Sequence, residues 1–182
     1  MAGVTGDDVR KRVDSRWVWL EIITLGRVRY YPGMSYNLMV FEPEAAPKDY
    51  PRFLEWYQRQ VQWREDHSYG DPAVTSVRLR GWLSEMIAIF PSINADDLPE
   101  DEALASEYSI GKEFIYASFA WSKTEEAYAA VFALAGKLRL GFFNVSSDGQ
   151  EVWQPSGGGL VLAHSKANRG LMNKVRGVFD KL

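Results

Sequence analysis

Between Glu113 and Leu138 the apolar residues change their spacing from every second position to about every 3.6, so a strand must run straight into a helix there. In EFIYASFAW, Ile115, Ala117, Phe119 and Trp121 fall on one face, and Phe114, Tyr116 and Ser118 on the other. Ser122 and Glu125 then form the S-x-x-E pattern of a capping box, in which each side chain satisfies a backbone N–H that the first turn leaves unpaired. Ala127, Tyr128, Val131, Leu134, Ala135 and Leu138 carry the helical face onward, and Gly141 is a natural stop.

The rest of the chain can be read outward from this junction. Ser35–Phe41 reads as a first strand that ends at the turn-forming EPEAAP. Pro51 suits the first turn of a helix, where its missing N–H costs little, and Phe53, Trp56, Tyr57 and Val61 extend that helix to about Arg64. DHSYGDP is a loop of turn formers. Ser76 caps a second helix with Leu79, Leu83, Met86, Ile87 and Phe90 on one face, and Pro91 ends it. Tyr108–Ile110 pairs with the longer strand around Gly111-Lys112, and Phe142–Ser146 with Glu151–Gln154 forms a hairpin about Asp148-Gly149. The order β-α-α-β-β-α-β-β predicts an α+β fold, a mostly antiparallel sheet with helices packed on one face, related to the split βαββαβ arrangement.

This places the core domain at residues 34–155. Ser156–Gly159 reads as a flexible hinge, followed by a short strand at Leu160–Leu162. Leu171, Val175, Val178 and Phe179 then suggest a basic amphipathic helix, so residues 156–182 form a hinge and C-terminal helix. Residues 1–33 read as an N-terminal extension from a misassigned start, because Tyr30-Tyr31-Pro32-Gly33 separates WVWLEIITLG from the first convincing strand. An additional strand is the competing reading. The extension is a poor signal peptide, since Asp14 and Glu21 flank its apolar stretch, and the expected location is the cytoplasm.

Composition narrows the chemistry. There is no cysteine, which removes disulfides, thiolate nucleophiles, iron–sulfur clusters and cysteine-bound zinc. The net charge is −3, but residues 1–33 carry six Lys/Arg against four acids, or +2, which leaves −5 on the remainder. Such a domain repels phosphate backbones, so the expected partner is a basic protein rather than nucleic acid or a membrane. Asn94–Glu107 concentrates the acids, with Asp96, Asp97, Glu100, Asp101 and Glu102 and no basic residue. It is either a solvated loop or a recognition surface.

No constellation of catalytic residues is evident, and no cofactor or metal is expected. The strongest enzymatic alternative is a small hydrolase or metal-dependent enzyme built on Glu65, His67 and Asp71, beside Asp66. A small-ligand sensor with a pocket lined by Tyr108, Tyr116 and Trp121 is a further alternative. His164, the other histidine, has no nucleophile paired with it in the sequence. Trp56 and Trp63 lie seven residues apart and share a helix face. They serve either the core or a binding surface, where Trp is a common hot spot.

From Ser35 to Pro155 the chain resembles a family of small uncharacterised bacterial proteins. The resemblance is carried by SYNLMVFEPEAAP, FLEWYQRQVQWREDHSYGDPAVTS, YSIGKEFIYASFAWSKTEEAY and GFFNVSSDGQEVW. It implies no enzyme activity and no catalytic residues. Its small, cysteine-free, acidic character looks like that of immunity proteins, which neutralise antibacterial toxins. The expected function is therefore non-enzymatic binding, as an immunity protein or antitoxin that blocks the basic active-site cleft of a secreted antibacterial toxin. The expected contacts are Asp96, Asp97, Glu100, Asp101 and Glu102, with Glu65, Asp66 and Asp71 as a second patch and Trp56 and Trp63 as anchors.

Overall fold

A computed structural model of the protein describes residues 35–166. The elements run β1 (Ser35–Phe41), α1 (Tyr50–Gln60), α2 (Val77–Ile89), β2 (Glu107–Ile110), β3 (Phe114–Ala120), α3 (Thr124–Lys137), β4 (Gly141–Phe143), β5 (Val152–Ser156) and β6 (Gly159–His164). The six strands form one open sheet in the order β2-β3-β1-β4-β5-β6, with every neighbouring pair antiparallel. The fold is therefore α+β, as the patterning predicts. Because β3 and β4 both run antiparallel to β1 and flank it, they are parallel to each other. Helix α3 carries the chain from one to the other, which is the split β-α-β unit anticipated from the sequence.

Local signals set the helix starts. Asp49 caps α1 by accepting from the Arg52 amide at 3.3 Å, with Pro51 in the first turn. Ser76 caps α2 through the Leu79 amide at 3.1 Å. The Ser76 hydroxyl also donates to the buried carboxylate of Glu42, which takes a second bond from Arg78, so the end of β1 is tied to the start of α2.

The helices do not all pack on one face. Leu38 and Val40 of β1, with Ile115, Ala117 and Phe119 of β3, meet Leu79, Trp82 and Met86 of α2 and Val131 and Ala135 of α3. Met39, Phe41, Phe114 and Phe143 face the other way and pack against Phe53 and Trp56 of α1. The reason lies in β1, where Leu38-Met39-Val40-Phe41 are all fully buried. A continuous apolar run of this kind belongs to a strand covered on both faces, whereas strict alternation would leave one face wet.

The Gly-rich stretch expected as a hinge is instead the tip of the β5–β6 hairpin. Ser156 pairs with Gly159, and Gly157 and Gly158 turn the chain at φ values of +58° and +107°, which glycine adopts without strain. The sheet thus continues to His164. The expected extension over residues 1–33 and the C-terminal helix with Leu171, Val175, Val178 and Phe179 lie outside the described residues. Among the described residues no helix is long and apolar enough to cross a membrane.

Candidate functional site

The acidic segment between α2 and β2 is an ordered excursion closed at its base. The Ser106 amide donates to Pro91 O at 2.8 Å, and the Ile93 amide donates to Ser106 O at 2.8 Å. A third fastening comes from Tyr108, whose hydroxyl donates to Phe90 O at 2.7 Å. At the far end Asp101 caps a short 3-10 turn, Glu102–Leu104, by accepting from the Ala103 amide at 3.1 Å. Held in this way, Asp96, Asp97, Glu100, Asp101 and Glu102 all keep exposed side chains. The backbone of the segment is thus closed at its base, while its five carboxylates remain exposed to solvent.

The excursion lies against the start of α3. Lys123 reaches Asp101 at 2.9 Å, and this ammonium holds the Asp101 carboxyl below its usual range. The expected capping box of Ser122 and Glu125 does not form there. Strand β3 ends at Ala120, a 3-10 turn over Trp121–Lys123 follows, and α3 starts on Lys123 without a side-chain cap. Ser122 therefore lies outside the helix. Thr124 instead donates from its hydroxyl to Trp121 O at 2.7 Å.

Leaving the strand also frees Trp121 from the face of Ile115, Ala117 and Phe119. Its side chain is 50% exposed, with its ring centroid 5.5 Å from that of Tyr36. It forms one wall of an open depression completed by Ser122, Thr124, Glu125, Glu126 and Ala129. A half-exposed tryptophan thus sits among Glu125 and Glu126 on α3, next to the turn that Lys123 ties to Asp101.

The sensor pocket expected from Tyr108, Tyr116 and Trp121 does not form. Tyr108 stands opposite Ala117 and shares its face, so Tyr116, one residue away, points to the other side of the sheet. There it meets Trp63, with centroids 5.8 Å apart.

The second predicted patch is only partly assembled. The Glu65 carboxylate binds His67 Nε2 and accepts from the Lys112 amide at 3.0 Å, while Asp66 pairs with Lys112 Nζ at 3.2 Å. Asp71 turns away to cap Pro72–Val74 through the Ala73 amide at 2.8 Å, so it does not converge with Glu65 and His67. Among the described residues no group of three or more His, Asp or Glu could hold a metal ion. His164 is engaged through Nε2 with Lys48 O at 2.6 Å and packs beside Tyr50.

The two tryptophans read as anchors differ from that expectation. Trp56 is 5% exposed and belongs to the core beneath α1, because its helical spacing from Phe53 turns it toward the sheet. Trp63 lies beyond the end of α1 at φ +53° and packs edge-on to Tyr69 at 5.1 Å, half-buried. Trp121, which the alternation assigns to a strand face, is the exposed aromatic among the described residues. The signal that could have separated it is its position beside Ser122-Lys123-Thr124, where the strand must stop for the helix to begin.

Over residues 35–166 the chain carries 11 Lys/Arg and 19 Asp/Glu, a net charge of −8. Comparison with known proteins finds no matching family model, no matching curated protein and no matching solved structure.

Proposed function

We propose that this is a cytoplasmic, non-enzymatic protein-binding domain of the immunity-protein or antitoxin kind, which neutralises a secreted antibacterial toxin by occupying its basic active-site cleft. The observation that carries this reading is the base-closed acidic excursion, pinned by Lys123 beside the exposed Trp121. A loop whose backbone is closed before binding loses less conformational freedom on association, so more of its acids' attraction for a cationic surface is retained in the complex. An exposed aromatic beside the acids adds what charge cannot supply, a large rigid contact area at the centre of the surface. A net charge of −8 over the described residues would also steer a basic partner into encounter.

The test uses the protein encoded beside this gene as the first partner, with capture from the native host as the wider search. Wild type should bind a basic protein with an association rate that falls steeply as salt rises. The triple reversal D97K/E100K/E102K should lower that rate by about 10-fold or more and flatten its salt dependence. Co-expression of wild type, but not of the reversal, should protect cells from the partner. Equal association rates and equal salt slopes for the two forms would overturn the assignment of this surface.

A further inference from the structure

Outside the proposed binding surface, one ionisable side chain is held in a way that only one protonation state can satisfy. Both ring nitrogens of His67 face acceptors, Nδ1 lying 2.9 Å from Ser68 O and Nε2 against the Glu65 carboxylate. A neutral imidazole has a single N–H, so one of these contacts would set a nitrogen lone pair against an oxygen. The imidazolium donates to both.

Glu65 is also the link to the sheet. The Oε2 atom that meets His67 accepts from the Lys112 amide at 3.0 Å, in the turn between β2 and β3. Two further contacts run along the same seam, the Ile110 amide to Tyr69 O at 2.8 Å and Lys112 Nζ to Asp66 at 3.2 Å. The Tyr69 hydroxyl closes the loop on itself by accepting from the Glu65 amide at 2.8 Å. The charged groups facing His67 are Glu65, Asp66 and Lys112, and the Tyr69 ring lies 5.0 Å away.

We propose that His67 is a protonation-dependent clasp that fastens the loop after α1 to the β2–β3 turn, closed when the ring is charged and loosened when it is neutral. The hydrogen bond to Ser68 O and then the one to Glu65 raise the His67 pKa above its ordinary 6.5. A folded pKa above the unfolded one means that the clasp contributes fully below about pH 6.5. Its contribution is lost as pH rises through the higher folded midpoint. In the closed state the imidazolium neutralises Glu65. In the open state the Glu65 carboxylate loses that compensating charge, and its hold on the Lys112 amide loosens. The clasp holds whatever the domain binds.

The chain has two histidines, so a His67→Gln variant assigns the ring signals. Ring-nitrogen NMR of the full chain should give His67 a midpoint above 6.5, with both nitrogens protonated below it. Hydrogen-exchange protection of the Lys112 amide should fall across that midpoint, by about tenfold for each pH unit of elevation. Glu65→Gln keeps an acceptor for the Lys112 amide but should lower the midpoint, leaving only the part of the elevation that Ser68 O supplies, and should weaken the pH dependence of protection. A wild-type midpoint at or below 6.5 would overturn the proposal. So would Lys112 protection that stays constant through the His67 titration, and both readings need only the wild-type chain.

Discussion

Gly141→Ala should destabilise the domain by about 1–3 kcal/mol in urea unfolding, a large loss for the addition of one methyl group. Gly141 stands directly opposite Phe41 in the β1–β4 pair, and a Cβ there would lie 2.3, 2.4 and 2.9 Å from three atoms of the Phe41 ring. That ring has nowhere to go. It is fully buried and packs against Phe53 at 5.3 Å and Trp56 at 5.6 Å. Phe41→Ala alone should cost about 3–5 kcal/mol by leaving a cavity under α1. The two effects should not add, because Phe41→Leu shortens the side chain that blocks the new methyl group. In the Phe41→Leu background, Gly141→Ala should cost clearly less than in wild type. If its cost were the same in both backgrounds, the close approach of Gly141 to Phe41 would be the wrong explanation.

The same glycine marks where sequence reading stops. Its place after a helical run suggests a helix stop, yet α3 ends at Lys137, and the left-handed turn falls on Arg139 at φ +56°. What fixes Gly141 is a ring that lies 100 positions earlier in the chain and meets it only through β1–β4 pairing. Signals that act within one turn were legible, as the caps at Asp49 and Ser76 illustrate. So was the alternation of β3, because a strand's two faces are written in adjacent residues. The division of the helices between two faces was less so. Helical spacing groups Phe53 with Trp56 on one stripe of α1 and Leu79 with Leu83 and Met86 on one stripe of α2, but it does not say on which side of the sheet either stripe lands. The candidate site shows the same limit. Its acids stand out in sequence as a run without a basic residue, whereas Lys123, the cation that pairs with Asp101, arrives from beyond β3 and takes the position that a capping residue would have filled.

Trp56→Ala and Trp121→Ala should therefore have opposite consequences. Trp56 is 5% exposed and touches Phe41 and Phe53, so its truncation should cost about 3–5 kcal/mol of stability. Partner affinity, measured below the melting transition, should stay near wild type because the Trp56 ring reaches no exposed surface. Trp121 is 50% exposed, and its packing is chiefly against Tyr36, so its truncation should cost about 1 kcal/mol of stability or less. The loss should appear in binding instead. A central tryptophan is worth about 2–4 kcal/mol at an interface, or about 30-fold to 1,000-fold in Kd. Because the aromatic contributes contact area and the acids contribute steering, the two kinds of variant should also separate kinetically. Trp121→Ala should raise the dissociation rate and leave the salt dependence of association intact, the reverse of the D97K/E100K/E102K pattern. Wild-type affinity in Trp121→Ala, together with weakened binding in the charge reversal, would show that the acids bind without an aromatic anchor. Wild-type affinity in both would move the interface elsewhere, and the exposed edge of β6, where Val161 and Leu162 are 49% and 40% exposed, would be the next surface to mutate.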